Sequence, residues 1–288
     1  MDKSARVKVA LITGAASGIG RGIAFRLAKD GMHVALNDLP SSREGLVAVA
    51  EEIKRVAGAK ECSLHFADVS SEEQVQKMIA DVVETYGGLD IMVANAGIVP
   101  TVPFLETPVE LWDKVFAINV RGTFLCYKYA GIQMVKQGKG GRIIGASSLA
   151  GKSGVGDLLG AYAGTKFAIR GITQAVAGEL GKHKITVNAY APGLIDTPAL
   201  KEFIEVKAKN ANMQPEQFFE AFNASVPLGY AGTPEDIGGL VSYLVSEEAH
   251  FITGQTRMST DLYKRGYLLR LRRFYLEVAR FSQGYVDT

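Results

Sequence analysis

Short apolar runs alternate with segments of helical periodicity along most of this chain, and that alternation constrains its fold more than any other feature. Residues 7–12, Val-Lys-Val-Ala-Leu-Ile, form the first run, rich in β-branched side chains and followed by glycine, as a parallel strand buried on both faces should be. Ile19, Ile23 and Leu27 then recur at helical spacing until Asp30-Gly31 ends the segment. Strands are predicted at 33–38, 63–68, 91–94, 142–146 and 185–189. Helices are predicted at 44–57, through Val75, Met78, Ile79, Val82 and Val83, at 111–136 and at 161–180. Repeated βα units with short connections predict an α/β fold, a doubly wound parallel sheet with right-handed crossovers and helices on both faces.

No linker interrupts residues 7–254, so a single domain over 1–256 is expected rather than separate cofactor and substrate domains. Residues 199–226 break the pattern, because Phe203, Ile204, Val206, Met213, Phe218, Phe219 and Phe222 lie among charges. They read as a small insertion of short helices over the carboxyl edge of the sheet, where such folds bind ligands. Thr233-Pro234-Glu235-Asp236 opens a further helix, with Thr as N-cap, Pro at the first helical position and an acidic residue at the third. An apolar share of 47% excludes a disordered chain. No apolar run approaches the ~20 residues that span a bilayer, so no integral membrane segment is expected. Cys62 and Cys126 form neither a disulfide framework nor a metal-ligand spacing, and no signal-peptide pattern precedes the first strand; a cytoplasmic protein without a metal site is expected. The net charge of +2 conceals an asymmetry. Seven basic against three acidic residues lie beyond residue 254, leaving the body with 25 basic and 27 acidic, which argues against nucleic acid as a partner.

The first strand runs into Thr13-Gly14-Ala15-Ala16-Ser17-Gly18-Ile19-Gly20. Glycines at a first βα turn let the backbone approach a pyrophosphate, and the helix that starts around Ser17 and Ile19 offers free N–H groups to the anion. A glycine-rich turn alone can bind nothing, but here a strand precedes it and a helix follows. Asp38 ends the second strand, where a carboxylate accepts hydrogen bonds from ribose hydroxyls and repels a 2′-phosphate, favouring NAD over NADP. An Asp at a strand end is also an ordinary turn residue. Tyr162 and Lys166 share one face of a helix, a weak signal in a chain with 11 Tyr until joined by Ser147-Ser148 upstream and Asn119 in the preceding helix.

Taken together, Thr13-Gly14-x-x-x-Gly18-x-Gly20, Asn95-Ala96-Gly97, Asn119, Ser148, Tyr162-x-x-x-Lys166 and Pro192-Gly193 resemble the short-chain dehydrogenase/reductase family over about residues 5–256. Residues 161–174 and 185–193 are most similar to acetoin/diacetyl reductases, also called 2,3-butanediol dehydrogenases. The resemblance implies a Rossmann-type fold and a catalytic set of Asn119, Ser148, Tyr162 and Lys166. In it Tyr162 is the general acid or base, and Lys166 favours its phenolate and reaches the nicotinamide ribose. Ser148 binds the substrate oxygen, and Asn119 holds a water linking Lys166 to solvent. It also implies that Asp68 and Val69 lie at the adenine, Asn95, Ala96 and Gly97 beside the adenosine ribose, and Pro192, Gly193, Ile195 and Thr197 at the carboxamide. Ser147 is the rival serine. The family's serine usually lies 13 residues before the tyrosine, whereas Ser148 lies 14 before Tyr162, so the loop at 152–160 carries one extra residue. Alignment of Ser148-Leu149-Ala150-Gly151 with the family's Ser-x-x-Gly favours Ser148, leaving Ser147 as a backbone-facing neighbour.

The resemblance further implies an NAD-dependent enzyme interconverting a small ketone and a secondary alcohol, assembled as a homo-oligomer. A tetramer is expected, or a dimer if the altered tail disrupts an interface. Alternatives are the same chemistry on a polyol, a sugar or a larger hydrophobic ketone, for which the phenylalanines at 199–226 would be suited, and a non-catalytic NAD-binding scaffold. The family usually closes Thr-Gly-Gln with a last strand and a Val-Asp-Gly-Gly turn, but here Thr253-Gly254-Gln255 leads into an atypical basic tail, 257–288. Within it Tyr267, Leu271, Phe274, Tyr275 and Val278 keep helical spacing opposite Arg270, Arg273 and Arg280. The readings are a surface that docks on a partner subunit or a membrane, a packed terminal helix, or a tail divergent for reasons unrelated to function.

Overall fold

A computed structural model of the protein describes residues 6–258, apart from 57, 155–157 and 225. The chain alternates β1 (Val9–Thr13), α1 (Gly18–Lys29), β2 (His33–Asp38), α2 (Arg43–Ile53), β3 (Cys62–Phe66), α3 (Glu72–Tyr86) and β4 (Ile91–Ala94). It continues through α4 (Val109–Phe116), α5 (Gly122–Gln137), β5 (Gly141–Ala146), α6 (Gly160–Leu180) and β6 (Ile185–Ala191). The helices α7 (Pro198–Asn210), α8 (Pro215–Asn223) and α9 (Pro234–Val245) precede a last strand, β7 (Thr256–Met258). The seven strands form one parallel sheet in the order β3-β2-β1-β4-β5-β6-β7. The chain winds outward from β1 through β2 to β3, then crosses to β4 on the other side of β1. The order therefore reverses between β1 and β4, where a crevice opens at the carboxyl ends of the strands.

The period-two geometry of a strand sends alternate residues of β1 into different cores. Ala10 and Ile12 pack with Ile23 and Leu27 of α1, Leu46 of α2 and Ile237 and Val241 of α9. Val9 and Leu11 pack with Val75 and Val82 of α3 and Leu125 and Met134 of α5. Both faces are thus covered, which is why the strands read as unbroken apolar runs. The expected start of α9 is present as a capping box, with Thr233 N–H donating to Asp236 Oδ2 at 2.7 Å and Asp236 N–H to Thr233 Oγ1 at 3.4 Å.

Two expectations need correction. The helix predicted over 111–136 is two α-helices joined by a π-helical turn, Ala117–Arg121, with Asn119 at its centre. The strand predicted at 63–68 ends at Phe66, because Asp68 turns the chain by accepting from Ser70 N–H and Ser70 Oγ, each at 2.8 Å. Beyond Thr253-Gly254-Gln255, β7 pairs in parallel with β6, Ala189 opposite Thr256. The phenylalanines of the insertion pack on one another, and Phe222 also packs against the cluster of Leu149, Leu194 and Val226. Phe203 and Phe218 lie 6.0 and 5.9 Å from Phe222 between ring centroids, packed over Ile204, Ala208 and Ala211.

The amphipathic pattern of 267–280 lies outside the described residues, as does the middle of the 152–160 loop. Cys62 and Cys126 are free thiols, and burial pushes them up to about 11 and about 12. Among the described residues there is no helix long and apolar enough to cross a membrane and no cluster of metal-ligating side chains.

Candidate active site

A cleft of about 500 Å³ occupies the crevice where the strand order reverses. Gly14 and Gly18 adopt φ of +65° and +53°, conformations that L side chains rarely reach. A Cβ on Gly20 would lie 2.1 Å from Gly14 O, so α1 can approach the turn only with glycine there. Ser17, the N-cap of α1, makes no side-chain capping bond, and Gly18, Ile19 and Gly20 of the first helical turn line the cleft. Asp38 borders the cleft, its Oδ2 accepting from Ala16 N–H at 3.0 Å and its Oδ1 from Leu39 N–H at 2.8 Å. These bonds fix the carboxylate while leaving a lone pair on each oxygen. An uncapped helix terminus beside a positive-φ turn suits a pyrophosphate, and a braced carboxylate suits a ribose diol, so the residues present fit a dinucleotide.

Ser17, Ile19, Asp68, Val69, Asn95, Ala96, Gly97, Pro192 and Thr197 line the same cleft, as do Tyr162 and Lys166 at its far end. Gly193 and Ile195 do not line it. Ile195 is buried and pairs with Gly232 in an isolated bridge. Asn119 and Ser148 also lie off the cleft wall and act on the residues that form it.

Helix α6 carries Tyr162 and Lys166 one turn apart, with Lys166 Nζ 5.4 Å from the centre of the Tyr162 ring. Lys166 is only 4% exposed, and its Nζ donates to Ala146 O at 2.7 Å. Burial disfavours the ammonium and lowers its pKa from 10.5 to about 8. Burial raises Tyr162 above the ordinary tyrosine value, and a hydrogen bond with Ser148 opposes that rise. The two serines face different partners, and of the two Ser147 lines the cleft. Ser147 Oγ donates to Lys166 O at 3.0 Å, facing backbone, while Ser148 meets Tyr162 and accepts Ala150 N–H at 3.1 Å.

Asn119 is fully buried, and its amide is already engaged. Nδ2 donates to Ile98 O at 3.0 Å and to Thr165 Oγ1 at 3.1 Å, and Oδ1 accepts Ile98 N–H at 2.9 Å. Thr165 Oγ1 in turn donates to Tyr162 O at 2.7 Å. Asn119 therefore ties the Gly97–Ile98 loop to α6 beneath Tyr162. It sits in the π-helical turn Ala117–Arg121. Neither Thr165 nor Tyr190 carries a role that the sequence suggests. Thr165 sits inside the Tyr-x-x-x-Lys motif as an unremarked spacer, and Tyr190 sits in an apolar strand where only the need of a buried phenol for a partner marks it.

A family profile described as enoyl-(acyl carrier protein) reductase matches residues 14–260. A short-chain dehydrogenase/reductase of Armillaria gallica is 51% identical over 249 residues, 86% of this chain and 93% of its own length. L-2,3-butanediol dehydrogenase of Corynebacterium glutamicum is 39% identical over 253 residues, 87% of this chain and 96% of its own. The crystal structure of an NAD⁺-bound xylitol dehydrogenase superposes with a TM-score of 0.83 at 31% identity, covering 90% of this chain and 99% of the other.

Proposed function

Because the chain belongs to the short-chain dehydrogenase/reductase family, we propose that it uses NAD(H) to interconvert a ketone and a secondary alcohol, with small vicinal diones, ketols and diols of the diacetyl, acetoin and 2,3-butanediol kind as substrates. The observation that carries this reading is the meeting of Tyr162 and Lys166 at one end of a cleft, with Ser148, off the cleft wall, hydrogen-bonded to Tyr162. The other end of that cleft holds a free helix terminus and Asp38.

When bound, the dinucleotide supplies or accepts the hydride. Gly14, Gly18 and the N-terminus of α1 would hold its pyrophosphate, and Asp38 its adenosine ribose. In the reducing direction the Tyr162 hydroxyl gives its proton to the carbonyl oxygen, and the Ser148 hydroxyl stabilises the charge developing there. Burial makes the phenolate costly, so Tyr162 needs a nearby positive charge to release its proton near neutral pH. Lys166, at about 8, is mostly protonated at pH 7 and supplies that charge. Ala146 O and Ser147 Oγ hold Lys166 at its ammonium and at its backbone. Asn119 and Thr165 fix the turn of α6 that carries Tyr162. Dinucleotide oxidation with a panel of ketones tests this reading; turnover of diacetyl or acetoin with NADH supports it.

A larger apolar ketone is a second reading, favoured by one feature of the site. A Cβ on Gly160, two residues before Tyr162 in the chain, would lie 2.7 Å from the Phe104 ring. Phe104, Leu105 and Val109 are 65%, 96% and 69% exposed, an apolar surface beside the catalytic end. Cyclic or long-chain ketones turned over better than diacetyl would select this alternative.

A further inference from the structure

The geometry points to Tyr190 as a positioning residue that braces the dinucleotide turn from the catalytic strands, an inference that rests on the dinucleotide reading of the cleft. Tyr190 lies on β6, is 1% exposed, and has a hydroxyl that donates to Asn95 Oδ1 at 2.6 Å. The same Asn95 amide donates through Nδ2 to Thr13 O at 2.8 Å and to Gly14 O at 3.1 Å. Its backbone N–H reaches Thr13 Oγ1 at 3.0 Å. Two carbonyls on one side dictate which way the amide faces, and its oxygen then needs a donor on the other side. Tyr190 is that donor.

The fit around this amide leaves little room to adjust. A Cβ on Gly20 would lie 2.6 Å from Asn95 Nδ2, so the amide is wedged between the end of β1 and the first turn of α1. On its other side Tyr190 belongs to the catalytic half. Its carbonyl accepts Ser147 N–H at 2.9 Å, and its register partner on β5 is Ala146, whose carbonyl holds Lys166 Nζ. One side chain thus links the strand ends that carry Ser147, Ser148 and Lys166 to the carbonyls of Thr13 and Gly14. Without the hydroxyl, Asn95 Oδ1 loses its donor and the turn loses its support from β6, while the groups assigned to the substrate keep their contacts.

Tyr190→Phe in the full chain tests this, because it removes one oxygen and no volume from the ring. NADH affinity is read by fluorescence titration, with kcat at saturating NADH and the urea midpoint measured alongside. The dissociation constant and KM for NADH are expected to rise ~5- to 10-fold, the loss of one neutral hydrogen bond, with kcat within twofold. Asn95→Ser should raise the dissociation constant at least as much, and adding Tyr190→Phe to it should raise it no further. The Asn95→Ser arm, with Tyr190 intact, tests the same brace if Tyr190→Phe does not fold. A lowered urea midpoint with unchanged NADH affinity in Tyr190→Phe, or full additivity of the two substitutions, overturns the inference. Failure of the wild-type protein to bind NADH or NADPH overturns the dinucleotide reading itself, and the inference with it.

Discussion

Replacing Lys166 by Met should stabilise the protein near neutral pH while removing its catalytic competence. The side chain is buried at the end of the cleft, where burial lowers its pKa from 10.5 to about 8. That difference means the charged ammonium costs the folded state about 3 kcal/mol wherever both folded and unfolded forms are protonated. The folded-state value lies below the unfolded one, so the cost is complete below pH ~8 and has gone by pH ~10.5. Met retains most of the volume but loses the bond from Nζ to Ala146 O, a loss of about 1 kcal/mol. The variant should therefore be more stable than wild type by about 2 kcal/mol at pH 7 and less stable by about 1 kcal/mol at pH 10.5. Urea unfolding of both proteins at the two pH values, without dinucleotide, measures the difference. A stability difference of the same sign and size at both values would refute the reasoning, because only a titrating group that is charged at a cost can reverse it.

Two further substitutions probe the dinucleotide end of the cleft. Asp38→Ser should move the preference for NADH over NADPH by at least ~10-fold toward NADPH, through loss of the carboxylate that repels a 2′-phosphate. It should also weaken NADH binding, since Ala16 and Leu39 lose their acceptor; parallel titrations with both dinucleotides read both effects. Gly20→Ala would place a methyl group 2.1 Å from Gly14 O, and the required shift of α1 should cost about 1–3 kcal/mol and abolish NADH binding. A urea midpoint and a fluorescence titration check it, and a fully stable, NADH-binding variant would contradict the packing described.

The parts of the fold that were legible in the sequence are those where one physical cause dominates locally. Strands β1 and β4 are buried on both faces, so their apolar runs stand out, and the capping box at Thr233 uses side chains three residues apart. What stayed hidden depends on contacts between distant segments. Asn119 interrupts its helix because its amide bonds Ile98 and Thr165, 21 and 46 residues away, and helical periodicity carries no trace of that. Tyr190 finds Asn95 across 95 residues, so spacing could not reveal the pair. The phenylalanines of α7 and α8 were visible as an apolar group among charges. Their packing on one another, and that of Phe222 on Leu149, Leu194 and Val226, joins segments that spacing alone does not connect. Strand β7 spans three residues and exists through its ladder with β6 rather than through its own composition.

The central claim is that Tyr162 passes a proton to a ketone at the end of a dinucleotide cleft. Tyr162→Phe tests it most directly, with diacetyl-dependent NADH oxidation and NADH affinity measured on the same preparation. Loss of the general acid should lower kcat by about 10²–10⁴-fold while NADH affinity stays within twofold of wild type. A variant that binds NADH and keeps most of its ketone turnover would contradict the account.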